Sequence, residues 1–179
     1  MHAEKIVFAL LVCVLLAAFV FVAAGILPKQ PVAFFAYGTN LAKSTMSARA
    51  GGFLNATAAE MPGYSLGFAS QDARPTEFGV ATPMRDDGAS VKGALYYLAP
   101  EQLAALDKQS GVPAFYERME VSVALPDGSA VKAHAYFLAG GTHLAAPSRP
   151  YYLSAMNGMN EWGYGTGSLD AAVAAAAGN

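Results

Sequence analysis

From Ile6 to Leu27 the chain runs for 22 residues without a charged side chain, composed mainly of Val, Leu, Phe and Ala. Water does not tolerate such a stretch in the open. Drawn as a helix at about 1.5 Å per residue it covers roughly 33 Å, enough for the hydrocarbon core of a bilayer. The alternative is a signal peptide with Val22-Ala23-Ala24 as its small-residue cleavage site. Signal h-regions run only about 7–15 residues, so the length favours a retained anchor that crosses a membrane once. Lys5 on one flank, against Lys29 and Lys43 on the other, is too weak a bias to assign an orientation.

Pro28 and Pro31 cannot continue the helix and mark a short linker. The expected organisation is therefore an anchor and linker over residues 1–30, a globular domain over 31–164 and a Gly/Ala-rich tail over 165–179. A chain of 179 residues is long enough to bury one proper core beyond the anchor. Its net charge of −2, with Lys and Arg scattered, provides no surface for nucleic acid. The single cysteine, Cys13, lies in the apolar run, so the globular part has no disulfide.

Within the domain, Val32 to Tyr37 is a short apolar run closed by Gly38, which reads as a buried strand and a tight turn. Pro62-Gly63 introduces a strand in which Tyr64, Leu66 and Phe68 alternate with small or polar residues. Phe78 to Thr82 and Val91 to Leu98 read as a pair of strands separated by the turn signal Arg85-Asp86-Asp87-Gly88. Met119 to Leu125 and Ala130 to Leu138 flank Pro126-Asp127-Gly128 as a hairpin. A helix is predicted from Pro100, with Glu101 in its first turn and Gly111 just past its end. Ser148 caps a second, with Tyr152, Ala155, Met156 and Met159 on one stripe. A short helix after Ser168 has little to bury and reads as peripheral. The whole is an α+β domain on a mostly antiparallel sheet or small β-barrel with interposed helices.

Several motifs carry no chemistry. Gly63-Tyr64-Ser65-Leu66-Gly67 has the G-x-S-x-G form of a nucleophile elbow, but no helical pattern comes after it. His2, His134 and His143 are too far apart for a recognisable metal site, so no cofactor or metal is expected. Asn55-Ala56-Thr57 is a glycosylation sequon only if it faces a secretory lumen. Tyr37-Gly38-Thr39-Asn40-Leu41 is different, because a strand ending in a glycine turn exposes successive backbone N–H groups to a carbonyl or carboxylate oxygen.

Together with the downstream motifs, that turn resembles the opening of the γ-glutamylcyclotransferase family, a strand and then a Tyr-Gly-Ser-Asn-Leu loop, with Thr39 in place of serine. The family's order continues through Pro62-Gly63-Tyr64, Gly79-Val80-Ala81-Thr82 and Val91-x-Gly93-x-Leu95-Tyr96. It then runs through the helix before Gly111, the hairpin and Pro147-Ser148-Arg149-Pro150-Tyr151, with the likeness reaching from Val32 to Tyr164. The resemblance implies a substrate cradle of Tyr37, Gly38, Thr39, Asn40 and Leu41, with Tyr151 in the same pocket. It also implies a departure. The family's Leu-Asp-x-x-Glu-Gly reads Leu106-Asp107-Lys108-Gln109-Ser110-Gly111, so Ser110 holds the position of the catalytic glutamate. In that chemistry the substrate's α-amine attacks its own γ-carbonyl, closing 5-oxoproline and expelling an amine. A carboxylate takes the proton and returns one to the leaving nitrogen. A serine hydroxyl has no useful basicity unless another base activates it, and Lys108, two residues along the helix, points elsewhere.

Three functions stay open at this point. The first is an inactive member of the family, anchored in membrane lipid as an accessory or interaction subunit of a membrane protein complex. The second is a tethered enzyme whose base has moved, with Glu77 or Glu117 as the base. The third is a module that binds a γ-glutamyl small molecule without turning it over.

Overall fold

Strand β1 (Val32–Ala36) is apolar at every position because both of its faces are covered. Phe35 joins one buried cluster and Phe34 and Ala36 join another. A strand covered on both sides reads as a continuous apolar run, not an alternating one. In the computed structural model, which describes residues 11–13 and 29–178, the chain divides into two compact units, residues 1–30 and 31–179. Within the first unit residues 11–13 are helical; the rest of the predicted anchor over 6–27 lies outside the described residues. Among the described residues no helix is long and apolar enough to cross a membrane.

The second unit is built on five strands. β1 pairs antiparallel with β3 (Val80–Leu98), from Val32 opposite Leu98 to Ala36 opposite Ala94. On its other side it meets β5 (Ala130–Leu138) in parallel at Phe34 and His134. β5 forms the predicted hairpin with β4 (Tyr116–Ala124), and β4 touches β2 (Asn55–Gln71) at Glu60 and Ala124. β2 pairs with β3, which closes the ring into a barrel. A short β6 (Thr142–Leu144) extends the far end of β2. Alternate residues from all five barrel strands (Phe35, Met61, Leu95, Val123 and Ala135 among them) make up one core cluster, as the two-residue period of a strand requires.

The second cluster lies under helices. α1 (Lys43–Ala50) supplies Met46 and Ala50, α2 (Pro100–Ser110) supplies Leu103 and Leu106, and α3 (Arg149–Glu161) supplies Met159. The predicted ends of α2 hold. Pro100 opens it, the Gln102 side chain accepts from the Ala99 N–H at 2.8 Å, and Gly111 closes it with a left-handed φ of 72°. Ser148 caps α3, accepting from the Tyr151 N–H at 3.3 Å.

Three expectations are corrected. Arg85-Asp86-Asp87-Gly88 does not separate one strand from the next, because β3 runs unbroken from Val80 to Leu98. Tyr64 faces Arg85 and Pro62 faces Ser90, so residues 86–89 lie opposite Gly63 alone and bulge out of the ladder. The turn residues satisfy themselves there, with the Gly88 N–H bonded to Asp86 Oδ1 at 3.2 Å. Pro62-Gly63 likewise lies within β2 and does not begin it. The tail is not peripheral either. α4 (Gly167–Ala177) buries Leu169, Ala172 and Ala176 in the barrel cluster, and its small residues let it sit close against β2.

Candidate functional site

The turn after β1 is a single 3-10 turn over Gly38–Leu41. Gly38 has φ 60°, and a Cβ there would come within 2.8 Å of Ala81 Cβ, so only glycine fits both the conformation and the approach to β3. The end of the turn is pinned by the Leu41 carbonyl, which accepts from the Tyr96 hydroxyl at 2.8 Å and from Trp162 Nε1 at 2.9 Å. The Leu41 side chain is fully buried in the outer core. Leu41 therefore fixes the loop from beneath, and the residues before it face outward.

They face a cavity of about 200 Å3. Of the residues singled out in the sequence, Tyr37, Thr39, Asn40, Ser110 and Tyr151 line it. Gly38 backs the wall without a side chain, and Leu41 is turned away. Ser110 arrives on the buried stripe of α2, on the same face as Leu103 and Leu106. Sequence reasoning missed Arg49, Gln109, Tyr116 and Tyr136, which also line the cavity. Arg49 comes from the unforeseen helix α1, where closure by the left-handed Gly51 was the available signal. Tyr116 and Tyr136 come from β4 and β5 and stack with ring centroids 5.8 Å apart.

The Tyr37 hydroxyl donates to the Tyr136 carbonyl, and the Tyr151 hydroxyl accepts from the Ala81 N–H at 3.1 Å. Arg49 Nη1 donates to Asn40 Oδ1 at 2.9 Å, tying α1 to the turn. The Tyr136 hydroxyl donates to Asp107 Oδ1 at 2.7 Å, and Arg118 pairs with the other oxygen of that carboxylate. The Ser110 hydroxyl is 9% exposed with its residue and makes no hydrogen bond of good geometry, although it lies close enough to Tyr136 to favour that phenolate slightly. Neither Glu77 nor Glu117 reaches the site. Both are exposed, and neither lines the cavity. Among the described residues no group of His, Cys, Asp or Glu is placed to hold a metal ion.

Burial is the main electrostatic force here. It holds the phenols of Tyr37 and Tyr116 well above their ordinary value, each reinforced by Tyr151. Burial raises Tyr136 as well, with Asp107 adding to the effect. It also raises Tyr151, against the opposing Ala81 N–H. Since the folded values lie above the unfolded one near 10, these four groups stabilise the fold fully below about pH 10 and lose that contribution as pH rises beyond it. Each removes up to about 1.4 kcal/mol per pH unit in that window. Melting temperature is thus expected to fall steeply between about pH 9.5 and pH 11, with tyrosine absorbance changing together with unfolding. A flat melting temperature, with the phenols ionising in the folded protein, would contradict the cavity described.

The comparisons with known proteins agree with this geometry. Residues 34–154 match the family described as gamma-glutamyl cyclotransferase, AIG2-like. The gamma-glutamylcyclotransferases of Bos taurus and Homo sapiens are each 27% identical over 123 residues, covering 66% of this chain and 64% of their own length. The chain therefore spans somewhat less than two thirds of those relatives. A solved gamma-glutamyl cyclotransferase structure superposes with a TM-score of 0.67 at 26% identity, over 75% of this chain and 81% of that one. Bacillus subtilis YkqA shares the fold, with a TM-score of 0.69 at 21% identity over 86% of this chain and 57% of that one. The barrel, the glycine turn and the matched residues lead to one conclusion: the chain belongs to the AIG2-like gamma-glutamyl cyclotransferase family.

Proposed function

We propose that this is a gamma-glutamylcyclotransferase-like domain that no longer runs the cyclotransferase reaction and serves, held in a membrane by residues 6–27, as an accessory or interaction subunit of a membrane protein complex. The observation that supports it is the chemistry of the cavity wall. Closing 5-oxoproline requires a base to take a proton from the substrate ammonium and an acid to protonate the departing nitrogen. A carboxylate does both. No lining residue is acidic, and the resemblance puts Ser110 where the carboxylate belongs. The tyrosines are held neutral by burial, Arg49 is a permanent cation, and the serine hydroxyl has no base beside it. Asp107, which meets Tyr136 at the wall, is already committed to that hydroxyl and to Arg118.

Folds commonly outlast their chemistry, and a metabolic enzyme has no need of an anchor. The full chain is expected to stay in the membrane fraction through alkaline carbonate extraction and to purify from its own membranes in fixed stoichiometry with other proteins. Release of the intact chain into the soluble fraction would contradict the anchor. A solitary membrane protein would contradict the accessory role.

A further inference from the structure

We infer that the end of the barrel where β1 begins rests on the lipid surface of the membrane, with the Leu54 side chain set into the headgroup layer. This rests on the reading of residues 6–27 as a membrane anchor and adds which surface of the domain meets lipid.

The first observation is a leucine held outward. Leu54 is 58% exposed, the most of any large apolar side chain in the domain among the described residues. Single exposed leucines are common, but this one is not free to fold back. Its N–H donates to the Tyr97 carbonyl at 2.8 Å, and the Phe53 ring beside it packs edge-on against Tyr96 with centroids 5.0 Å apart. Residues 50–59 carry no charged side chain. The charges that adjoin these strand ends in sequence, Lys29 and Glu101, are one of each sign. Such a surface is apolar and neutral, which suits lipid of any headgroup charge and offers nothing to a strongly acidic or basic partner.

The second observation is where that leucine lies. Ala33, Tyr97 and Asn55 pair side by side across β1, β3 and β2, which puts Leu54 level with Val32 and two strand spacings, about 10 Å, away. Only Pro28 to Pro31 separate Val32 from the end of the apolar run at Leu27. The extended chain between them spans at most about 17 Å, of which the headgroup layer takes about 5–8 Å. A domain tethered so closely meets the bilayer at high effective concentration, so a contact too weak to recruit a free protein is enough to orient this one. Phe78 provides the contrast. It is 46% exposed, but it lies at the opposite end of the β2–β3 ladder, beyond the pairing of Ala69 with Val80, on the order of 40 Å away along the strands.

The test places the full chain in phosphatidylcholine vesicles with Cys13, its one cysteine, changed to serine. An environment-sensitive fluorophore is attached through Leu54→Cys or, in a separate sample, Phe78→Cys. Both positions are exposed, so neither change removes core packing. The fluorophore at 54 is expected to emit at shorter wavelength than the one at 78 and to be quenched by lipid that carries a nitroxide at the headgroup. The fluorophore at 78 should stay in water and unquenched. A wet, unquenched fluorophore at 54, on a chain that floats with the vesicles, would overturn the lipid contact and leave the anchor standing. Equal quenching at the two positions would overturn the contact as well, since it would show that place on the barrel does not matter. A chain that fails to float with the vesicles would overturn the anchor reading beneath it.

Discussion

Leu106→Ala is expected to lower the unfolding free energy by about 2–5 kcal/mol, the range for truncating a fully buried leucine when its surroundings cannot close over the gap. Leu106 has no exposed surface and packs in the cluster formed with Phe34, Leu41, Leu98, Leu103 and Tyr136. Relaxation is restricted because α2 is held at both ends, by the Gln102 side chain and by Gly111. The effect also reaches function. Ser110 stands one turn further along the same buried face, so a looser seat for Leu106 moves the residue at the cavity wall. Urea denaturation measures the loss. Leu153→Ala on α3, 40% exposed, is the control and should change stability by no more than about 0.5 kcal/mol. Equal effects of the two changes would mean that α2 is not packed as described.

Much of this fold was legible because local and tertiary signals agree. β1 is apolar throughout, and burial on both faces is what that pattern means. Pro126-Asp127-Gly128 lies in a true hairpin turn, with Asp127 Oδ1 accepting from the Ser129 N–H at 2.9 Å. Where signals conflict, tertiary pairing wins. Pro62-Gly63 and Asp86-Asp87-Gly88 are strong turn sequences, yet they lie across from each other in one long ladder, where both strands tolerate a bulge. Helix α1 gave almost no local signal. Its Lys43–Ala50 segment buries only Met46 and Ala50 and has no side-chain cap, so packing, not propensity, holds it. α4 is hard to read as buried because a helix apolar on nearly every side shows no amphipathic stripe, while the small size of its alanines is what permits close packing.

The site was legible to about the same depth. The glycine turn, Ser110 and Tyr151 could be found because each belongs to a motif with order and spacing. Arg49, Tyr116 and Tyr136 could not, since three separate elements bring them together and nothing in their spacing foretells it. Glu77 and Glu117, named from the sequence as a relocated base, are exposed and do not line the cavity, although Glu117 directly follows Tyr116, which does.

Ser110→Glu is expected to gain release of 5-oxoproline from γ-glutamyl amines, to roughly 10²–10⁴ times the background of the unaltered protein. The turn that the resemblance makes a substrate cradle is already held by Gly38, by the Tyr37–Tyr136 contact and by the pinned Leu41 carbonyl. On the reading proposed above, what the cavity lacks is a group able to carry protons both ways. A glutamate at 110 would sit at the C-terminal end of α2 and be largely buried, two influences that raise a carboxyl pKa toward neutrality, while Arg49 across the cavity pulls it down. The gain requires that the raising influences prevail, so that the carboxyl accepts and returns a proton near neutral pH. A folded Ser110→Glu protein with no gain would mean that more than the carboxylate has been lost.

The unaltered protein gives the most direct test of a cavity without chemistry: the rate at which the purified full chain releases 5-oxoproline from γ-glutamyl amines. No release above the uncatalysed background is expected. Clear turnover, abolished by Asp107→Asn, Glu77→Gln or Glu117→Gln, would show that the base had moved and not disappeared.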